Sequence, residues 1–358
     1  MNWHLVPARR FPDFADRWQA LHARGPASCL LAADFVAPLV EQFAAEGTLL
    51  AYCERGADTV AMALLAPGGR GAWATFQPSQ APLGLWLQEP GASTQQLCAA
   101  LLRALPGFPL LLALTQQDPL FAPRPPDGPL VRTLDYIDTA RVTLAGGFED
   151  YWGARGKNLR ANLRKQRARL QREGVETRLG IVRERAGMAR AVEDFGRLES
   201  AGWKAARGTA VHAENAQGRY YRAMLENFAA RDAASVVRYH VGGRLAAMDL
   251  CVEDRDAIVV LKTSYDEQMT PGLSPTLLMR EEALRRLFEE RRFARLEFYG
   301  RVMDWHLRFT DEVRTLYHIN YYRWPGLQRL HAMLDARARG RVAQDSGSAV
   351  NTGSDHVS

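Results

Sequence analysis

Short apolar runs rich in β-branched residues alternate with amphipathic stretches along this chain, which is the pattern of a mixed α/β protein. In the first half, Thr48–Cys53, Thr59–Leu65 and Ala72–Phe76 read as strands separated by Gly- or Asp-containing turns. Ser93-x-x-Gln96 reads as a capping box that opens a helix, and Pro106-Gly107 stops that helix after Leu105. Leu110–Leu114 reads as a buried strand, residues 118–129 as a proline-rich surface loop, and Tyr136–Thr139 as one more strand before a boundary at Gly146-Gly147. The second half predicts helices over Ala186–Ala201 and Glu214–Arg231. Strands follow over Ser235–Val241, Arg244–Glu253 and Ala257–Ser264, the first two joined by a tight turn at Gly242-Gly243. A helix from Pro275, a strand over Leu296–Tyr299, a last strand pair over Arg314–Tyr322 and a short helix complete the order.

Three strands, a loop, a helix and a strand thus occur twice, roughly 185–190 residues apart, which is most economically a duplicated domain. We expect one unit over residues 1–145, a second over 146–335, and a disordered tail over 336–358, where Gly, Ser, Asp and Arg follow one another without periodicity. Of the two units the second has the better anion site. There Ala257–Leu261 leads through a Gly/Pro-broken loop to Ser274, well placed as an N-cap, with Pro275 at the first helical position and Leu277, Leu284 and Phe288 on one face. A helix start of this kind presents free backbone N–H groups and the positive end of the helix dipole. The first copy lacks such a loop, so no nucleotide site is expected in it.

Composition narrows the classes further. The chain of 358 residues is 47% hydrophobic and 24% charged, an ordinary soluble balance, and no stretch is long or apolar enough to span a bilayer. The N-terminus has no apolar core after its charges, as a signal peptide would, and the four cysteines lie far apart without metal-ligand spacing. A cytoplasmic protein with no metal is the expectation. The net charge of +6 favours acidic partners weakly. Most of it gathers in Gly153–Gly174, where Leu159, Leu163 and Leu170 share one face and eight Lys or Arg side chains between Arg155 and Arg172 fill the rest. The stretch reads as a solvated helix docked by its leucines, or as a patch for nucleic acid, an acidic surface or a phosphorylated substrate.

Several stretches together resemble the acetyltransferases associated with bacterial polysaccharide synthesis, the CelD-like branch of the GNAT superfamily. Lys157–Leu170 is similar to that branch's basic helix. Glu199-x-x-Gly202-Trp203-Lys204-x-x-x-Gly208-Thr209-Ala210 resembles its ExxGWKxxxGTA motif. Lys262-x-x-Tyr265-Asp266-Glu267 with Leu273-Ser274-Pro275 resembles its WKxxYDE…SPG segment, and Glu297-Phe298-Tyr299-Gly300…Trp305-His306 its DFxG…W/Y-K segment. The resemblance covers roughly residues 147–325, with residues 1–145 matching only in general character. It differs at Thr276, where the branch has glycine, and at His306, where it has lysine and where any cationic role would become pH-dependent.

The resemblance implies an α/β (α+β) fold of tandem GNAT-like domains, each a mixed, mostly antiparallel sheet flanked by helices, with a degenerate first copy. It implies transfer of an acyl group from acetyl-CoA or another acyl-CoA to an amino group, on a sugar or another cell-envelope precursor. It also implies kinship with Fem-type transferases, which use aminoacyl-tRNA; a non-catalytic role in polysaccharide assembly is a third reading. Leu273, Ser274 and Thr276 would hold the cofactor at the helix start, and Lys262, Thr263 and Ser264 would pair with it along the strand. Glu199, Trp203, Lys204 and Trp305 would face the acceptor. The chemistry needs a base, oxyanion donors and an acid for the thiolate. Asp249, in an otherwise apolar strand, is either that base or the partner of an arginine or a backbone amide. Glu297, Tyr265 and His306 are the other catalytic candidates. Arg244, Arg280 and Arg285 read as solvated surface.

Overall fold

The computed structural model describes residues 1–25, 28–69, 71–201, 211–212, 214–269 and 272–333. In chain order the elements begin with strand β1 (Asn2–Pro7), helices α1 (Phe11–His22) and α2 (Ala33–Phe43), and strands β2 (Leu49–Arg55), β3 (Asp58–Gly69), β4 (Ala72–Thr75) and β5 (Trp86–Gln88). Helix α3 (Thr94–Ala104), strands β6 (Leu111–Gln117) and β7 (Val131–Thr143), and helices α4 (Phe148–Gly153) and α5 (Lys157–Arg172) follow. Then come β8 (Thr177–Val182), α6 (Arg185–Ala201), α7 (Ala216–Ala229), β9 (Ala234–Val241), β10 (Arg244–Glu253) and β11 (Ala257–Tyr265). Next come α8 (Pro275–Glu290), β12 (Arg295–Phe298), α9 (Asp304–Leu307) and β13 (Val313–Tyr322), after which residues 325–333 are helical, where a short helix was expected.

All the described strands form one sheet in the order β1-β2-β3-β4-β6-β13-β7-β12-β11-β10-β9-β8, with β5 added beside β3. From either edge inward the pattern is the same: three antiparallel pairings, then a parallel one, β4 with β6 and β11 with β12. The two copies differ by 185 residues at β2 and β9 (234 − 49) and by 184 at β6 and β12 (295 − 111). Alternation along the strands produces this, because each central strand carries apolar side chains on both faces and is covered on both. Helices α1, α2, α6 and α7 share one core with Leu50, Met62, Val236 and Met248. On the opposite face α3 covers the first copy through Leu97 and Leu101, and α4, α5 and α8 cover the second through Phe148, Leu163 and Leu284.

The centre of the sheet was not legible in the sequence. Tyr136–Thr139 belongs to a thirteen-residue strand, and the expected strand pair over Arg314–Tyr322 is a single strand. These two, β7 and β13, are exchanged: β7 follows the first copy in sequence but pairs with β12, and β13 follows the second copy but pairs with β6. The sheet therefore runs unbroken past residues 145 and 146. The elements α1, α2, β1, β5, α4 and β8 were also not predicted, and the proposed tail from residue 336 lies outside the described residues.

In the first copy the gap where β4 and β6 would part is closed from within. Thr75 and Thr115 hydroxyls meet at 2.6 Å across it. Gly84 enters so closely that a Cβ would stand 2.1 Å from the Thr115 carbonyl.

The exchange makes a stability prediction. Residues 146–335 expressed alone lack β7, which leaves β12 and β13 with open edges. That piece should be insoluble or unfold without a cooperative transition, and co-expression with residues 1–145 should restore a soluble 1:1 complex by size-exclusion chromatography. A cooperative, soluble 146–335 monomer would contradict it.

Candidate active site

The second copy stays open where the first is closed. Strand β11 pairs with β12 only from Ala257 to Val260, yet it continues to Tyr265. Beyond Val260 its edge faces no described strand, so its backbone groups there are available to a ligand. At the same place a bulge interrupts the β10–β11 register: Cys251 faces Val260 but Leu250 faces Lys262, leaving Leu261 as the extra residue. The bulge reverses the alternation. Ile258 and Val260 point into the α8 core, whereas Lys262 turns to α6 and α7 and Thr263 takes the α8 side.

The opened edge forms one wall of a cleft of about 520 Å³. Thr263, Tyr265, Leu273, Ser274, Thr276 and Trp305, all expected near the donor or acceptor, line it together with Arg280, Arg308 and Phe309. The start of α8 forms the opposite wall. Ser274 is the N-cap residue as expected, but its hydroxyl caps nothing; instead its own N–H donates to Gln166 Oε1 of α5 at 2.8 Å. Pro275 contributes no N–H, and the Ser274 carbonyl accepts from Leu277 and Leu278. The positive end of a sixteen-residue helix thus borders the cleft without a side-chain cap.

Arg280 is a correction to the sequence reading. It is 3% exposed, not solvated, and its guanidinium holds the carboxylate of Asp249, itself 0% exposed. Nη1 lies 2.6 Å from Oδ2, and Nη2 donates to Oδ1 at 3.1 Å. The Thr263 hydroxyl donates to the same Oδ1 at 2.6 Å. Asp249 therefore ties α8 to β10 and β11, with both of its oxygens against Arg280. Asp249 asked for this partner in the sequence, and Arg280 lies three residues after Leu277 and four before Leu284, on the buried face of α8. The guanidinium also lies over the rings of Phe298 and Trp305, at 5.1 and 5.8 Å.

His306 is not the pH-dependent cation the sequence suggested. It is 5% exposed, stacks on Trp305 at 3.5 Å between centroids, and its Nδ1 accepts from the Met303 N–H at 3.0 Å. Burial, reinforced by Arg280, pushes its pKa down to about 4. It is neutral at ordinary pH.

On the other face of the sheet, Glu297 is held between Arg314 (2.7 Å) and Arg295 (3.0 Å), and Arg314 also grips Asp118 at 2.7 Å. Burial raises the Glu297 pKa, with Arg314 opposing. Tyr299 donates to Asp118 at 2.7 Å, and burial pushes that phenol well above its usual range. Asp118 and Arg314 had no signal in sequence, because only the strand exchange brings them beside Glu297.

Glu199 is buried at the end of α6 and pairs with Lys262 at 3.1 Å, and it accepts from the Val211 N–H at 2.9 Å. Lys262 lies over Phe195 and Tyr221. Ser264 is buried in the same strand. Trp203 and Lys204 lie outside the described residues. Among the described residues, no cluster of His, Cys, Asp and Glu side chains could hold a metal.

The basic helix α5 docks through Leu159, Leu163 and Leu170 with Gln166 on the same face. Arg167 reaches Glu281 and Glu282 of α8, at 2.8 and 2.7 Å. Lys157, Arg164, Lys165 and Arg172 remain exposed.

Residues 157–307 match the family model of the acetyltransferase (GNAT) domain. The chain carries a GNAT acyltransferase domain. Solved structures share the fold at low identity. The C-terminal domain (DUF2156) of an Agrobacterium fabrum protein, provisionally assigned as a lysylphosphatidylglycerol synthetase, matches with a TM-score of 0.54 and 14% identity over 91% of this chain and 96% of that one. FemX matches at 0.54 and 8% over 92% and 99%. A Bacteroides thetaiotaomicron protein of unknown function matches at 0.55 and 10% over 87% and 97%. No curated protein matches the sequence. The matched stretch contains β11 and β12 where they part and the uncapped start of α8.

Two predictions follow from the site's electrostatics. Asp249→Ala leaves the Arg280 guanidinium buried and unpaired and should cost about 3–5 kcal/mol in urea unfolding, whereas Asp249→Leu with Arg280→Met should recover most of that. The second concerns His306. Its folded pKa of about 4 lies below the usual 6.5, so the unfolded chain binds the extra proton between those values. Stability should therefore fall as pH drops from 6.5 to 4, by up to about 3 kcal/mol from this group. His306→Gln should flatten the curve in that window relative to the parent.

Proposed function

We propose that the protein is an acyl-CoA-dependent N-acyltransferase acting on an amino group of a sugar or cell-envelope precursor. The observation that carries this reading is the coincidence, in one cleft, of the free β11 edge after the Leu261 bulge and the uncapped start of α8. The residues present fit a coenzyme A thioester. The helix start and the exposed Arg308 at the cleft rim suit its phosphates, and the strand edge suits its amide-bearing arm. Thr276 narrows the approach to the helix start relative to glycine but leaves the second residue of α8 at the cleft surface. Buried Arg280 Nε has no hydrogen-bond partner among the described residues and adds positive potential there.

Bound acyl-CoA supplies an activated carbonyl carbon; the chain's own groups do the rest. The β11 edge would hold the donor, and its free backbone N–H groups would stabilise a developing oxyanion without reorganisation. Tyr265, 43% exposed at the end of β11 and lining the cleft, holds the proton that the departing thiolate needs. The acceptor approaches the opposite sheet face, where Glu297 and the Glu199–Lys262 pair lie. Of these carboxylates we assign proton removal, through water, to Glu297. Its Oε1 has no hydrogen bond beyond the Arg295 ion pair, and burial makes it more basic than an exposed glutamate. Glu199 is fixed by Lys262 and the Val211 N–H and so positions the strand end.

Calorimetry with acetyl-CoA and a mass-spectrometric search for acylated metabolites in cell extract test the reading. Acetyl-CoA should bind, and Ser274→Glu should weaken it at least tenfold by placing a negative charge at the helix start. With the acceptor so found, Glu297→Gln should lower kcat by 10²-fold or more with acetyl-CoA affinity unchanged, on the order expected for loss of a general base. Absence of acetyl-CoA binding would refute the assignment.

A further inference from the structure

On the face of the sheet that receives the acceptor, β8 and β9 carry a second, smaller concavity of about 250 Å³. It is lined by Arg178, Arg238 and His240 together with Ile181 and Val182, and its floor is Gly180. Register explains the hollow. Gly180 pairs with Arg238 and Arg178 with His240, so these four share a face, and the glycine leaves out the side chain that would fill it. A Cβ added at Gly180 would meet only the Arg238 carbonyl, at 4.0 Å.

Positive charge exceeds negative around the pocket, which Arg178 and Arg238 line and Arg190 and Arg197 of α6 border through Asp194. Arg238 pairs with buried Asp194 at 2.6 Å, but Arg190 at 3.2 Å and Arg197 converge on the same carboxylate. Counting Arg178, Arg190, Arg197 and Arg238 against Asp194 and Glu193, which meets Arg190 at 3.6 Å, leaves 4 − 2 = +2. Burial and the neighbouring guanidiniums lower the Arg238 pKa. His240 is likewise shifted down, by burial first and then by Arg238 and Arg178. Two buried nitrogens there, Arg238 Nε and His240 Nδ1, have no hydrogen-bond partner among the described residues. An unmet buried guanidinium N–H of Arg238 beside cations that outnumber their acids is costly, and an oxyanion answers both.

The pocket is aligned with the reaction site. Met248 pairs with Ser264 on one side and Arg238 on the other, so Ser264, Met248, Arg238 and Gly180 form one row across β11, β10, β9 and β8. Ser264 lies past the point where β11 leaves β12. Two strand spacings separate its row position from that of Arg238, roughly 10 Å. Helix α6 spans the same interval, with Asp194 over Arg238 and Glu199 over Lys262.

We propose that this pocket binds a phosphate group carried by the acceptor, so that the substrate is a phosphorylated amine with its anionic end between β8 and β9 and its amine at the β11–β12 mouth. The substrate assignment rests on the acyltransferase reading; the anion pocket itself does not. The test titrates inorganic phosphate into the full chain, with coenzyme A at saturation to occupy the other cleft, and follows the His240 ring by NMR. Saturable shifts are expected in the parent. Arg178→Gln should weaken them at least fivefold, and Gly180→Val, which fills the floor with a residue suited to a strand, should abolish them. Both variants should bind acetyl-CoA within twofold of the parent. A silent His240, or shifts unchanged in both variants, would overturn the pocket and leave these cations as guards of the exposed β8 edge. If His240 responds while acetyl-CoA fails to bind, the acyltransferase reading falls and the anion site stands. If an acylated product found in cell extract carries no phosphate, the substrate assignment is overturned.

Discussion

An ion pair buried between a helix and the sheet beneath it sets the geometry of the donor cleft. Taking Asp249 and Arg280 out of water costs several kcal/mol each, and their mutual attraction offsets this only while both keep good geometry. Thr263 completes the Asp249 oxygen that Arg280 shares, and Phe298 and Trp305 cover the guanidinium. Helix α8 can then neither slide nor turn without exposing an unpaired charge. Gln166 and Arg167 of α5 hold the same helix from outside, the first at its N-cap and the second at Glu281 and Glu282. A helix start left without a capping side chain would ordinarily fray. Here it is fixed from two sides, so the Thr276 N–H and the helix dipole can be kept for a ligand.

The doubled sheet supplies the comparison that makes the cleft meaningful. Both copies place a parallel strand beside the third strand of a meander, and both would part beyond it because neighbouring strands twist away from one another. In the first copy a Thr75–Thr115 contact and the close entry of Gly84 close the gap. In the second, nothing described enters beside β11 after Val260. The exchange of β7 and β13 couples this difference to the whole chain. Glu297 of the second copy is held by Arg314, whose other partner, Asp118, follows the first copy's β6. Charge placement on the acceptor face thus depends on both copies being folded together.

How much of this was legible in the sequence depends on the distance over which each feature is specified. The strands β9, β10 and β11, the helix from Pro275 and the leucine face of α5 are local patterns, and their apolar periodicity was sufficient to place them. That Asp249 required a partner was legible too, since an isolated carboxylate in an apolar strand is too costly to leave alone. Which cation answered it was misjudged, because Arg280 sits among other arginines and glutamates that are partly solvated, and charge alone does not show orientation. His306 was misread for a related reason: its neutrality comes from Trp305, Phe298 and Arg280 packed around it, not from neighbours in sequence. The exchange of β7 and β13 and the Asp118–Arg314–Glu297 cluster had no local signal at all. They arise mainly from pairings between residues about 150–210 positions apart, where periodicity is silent.

The Leu261 bulge decides how these parts divide the chemistry. With regular alternation, Lys262 would have pointed to the α8 side, where Asp249 already holds Arg280 and a second cation would go unpaired. Thr263 would have faced α6 and left Asp249 with one donor fewer. The extra residue turns both the right way: Thr263 completes the ion pair beneath the donor cleft, and Lys262 meets Glu199 on the acceptor face. It does so at the point where β11 loses β12, so the same backbone irregularity that re-aims the side chains also borders the free edge. Donor and acceptor can then approach from opposite faces and meet where the sheet is locally one strand short. A regular pairing that kept all of these residues would part Lys262 from Glu199 and Thr263 from Asp249.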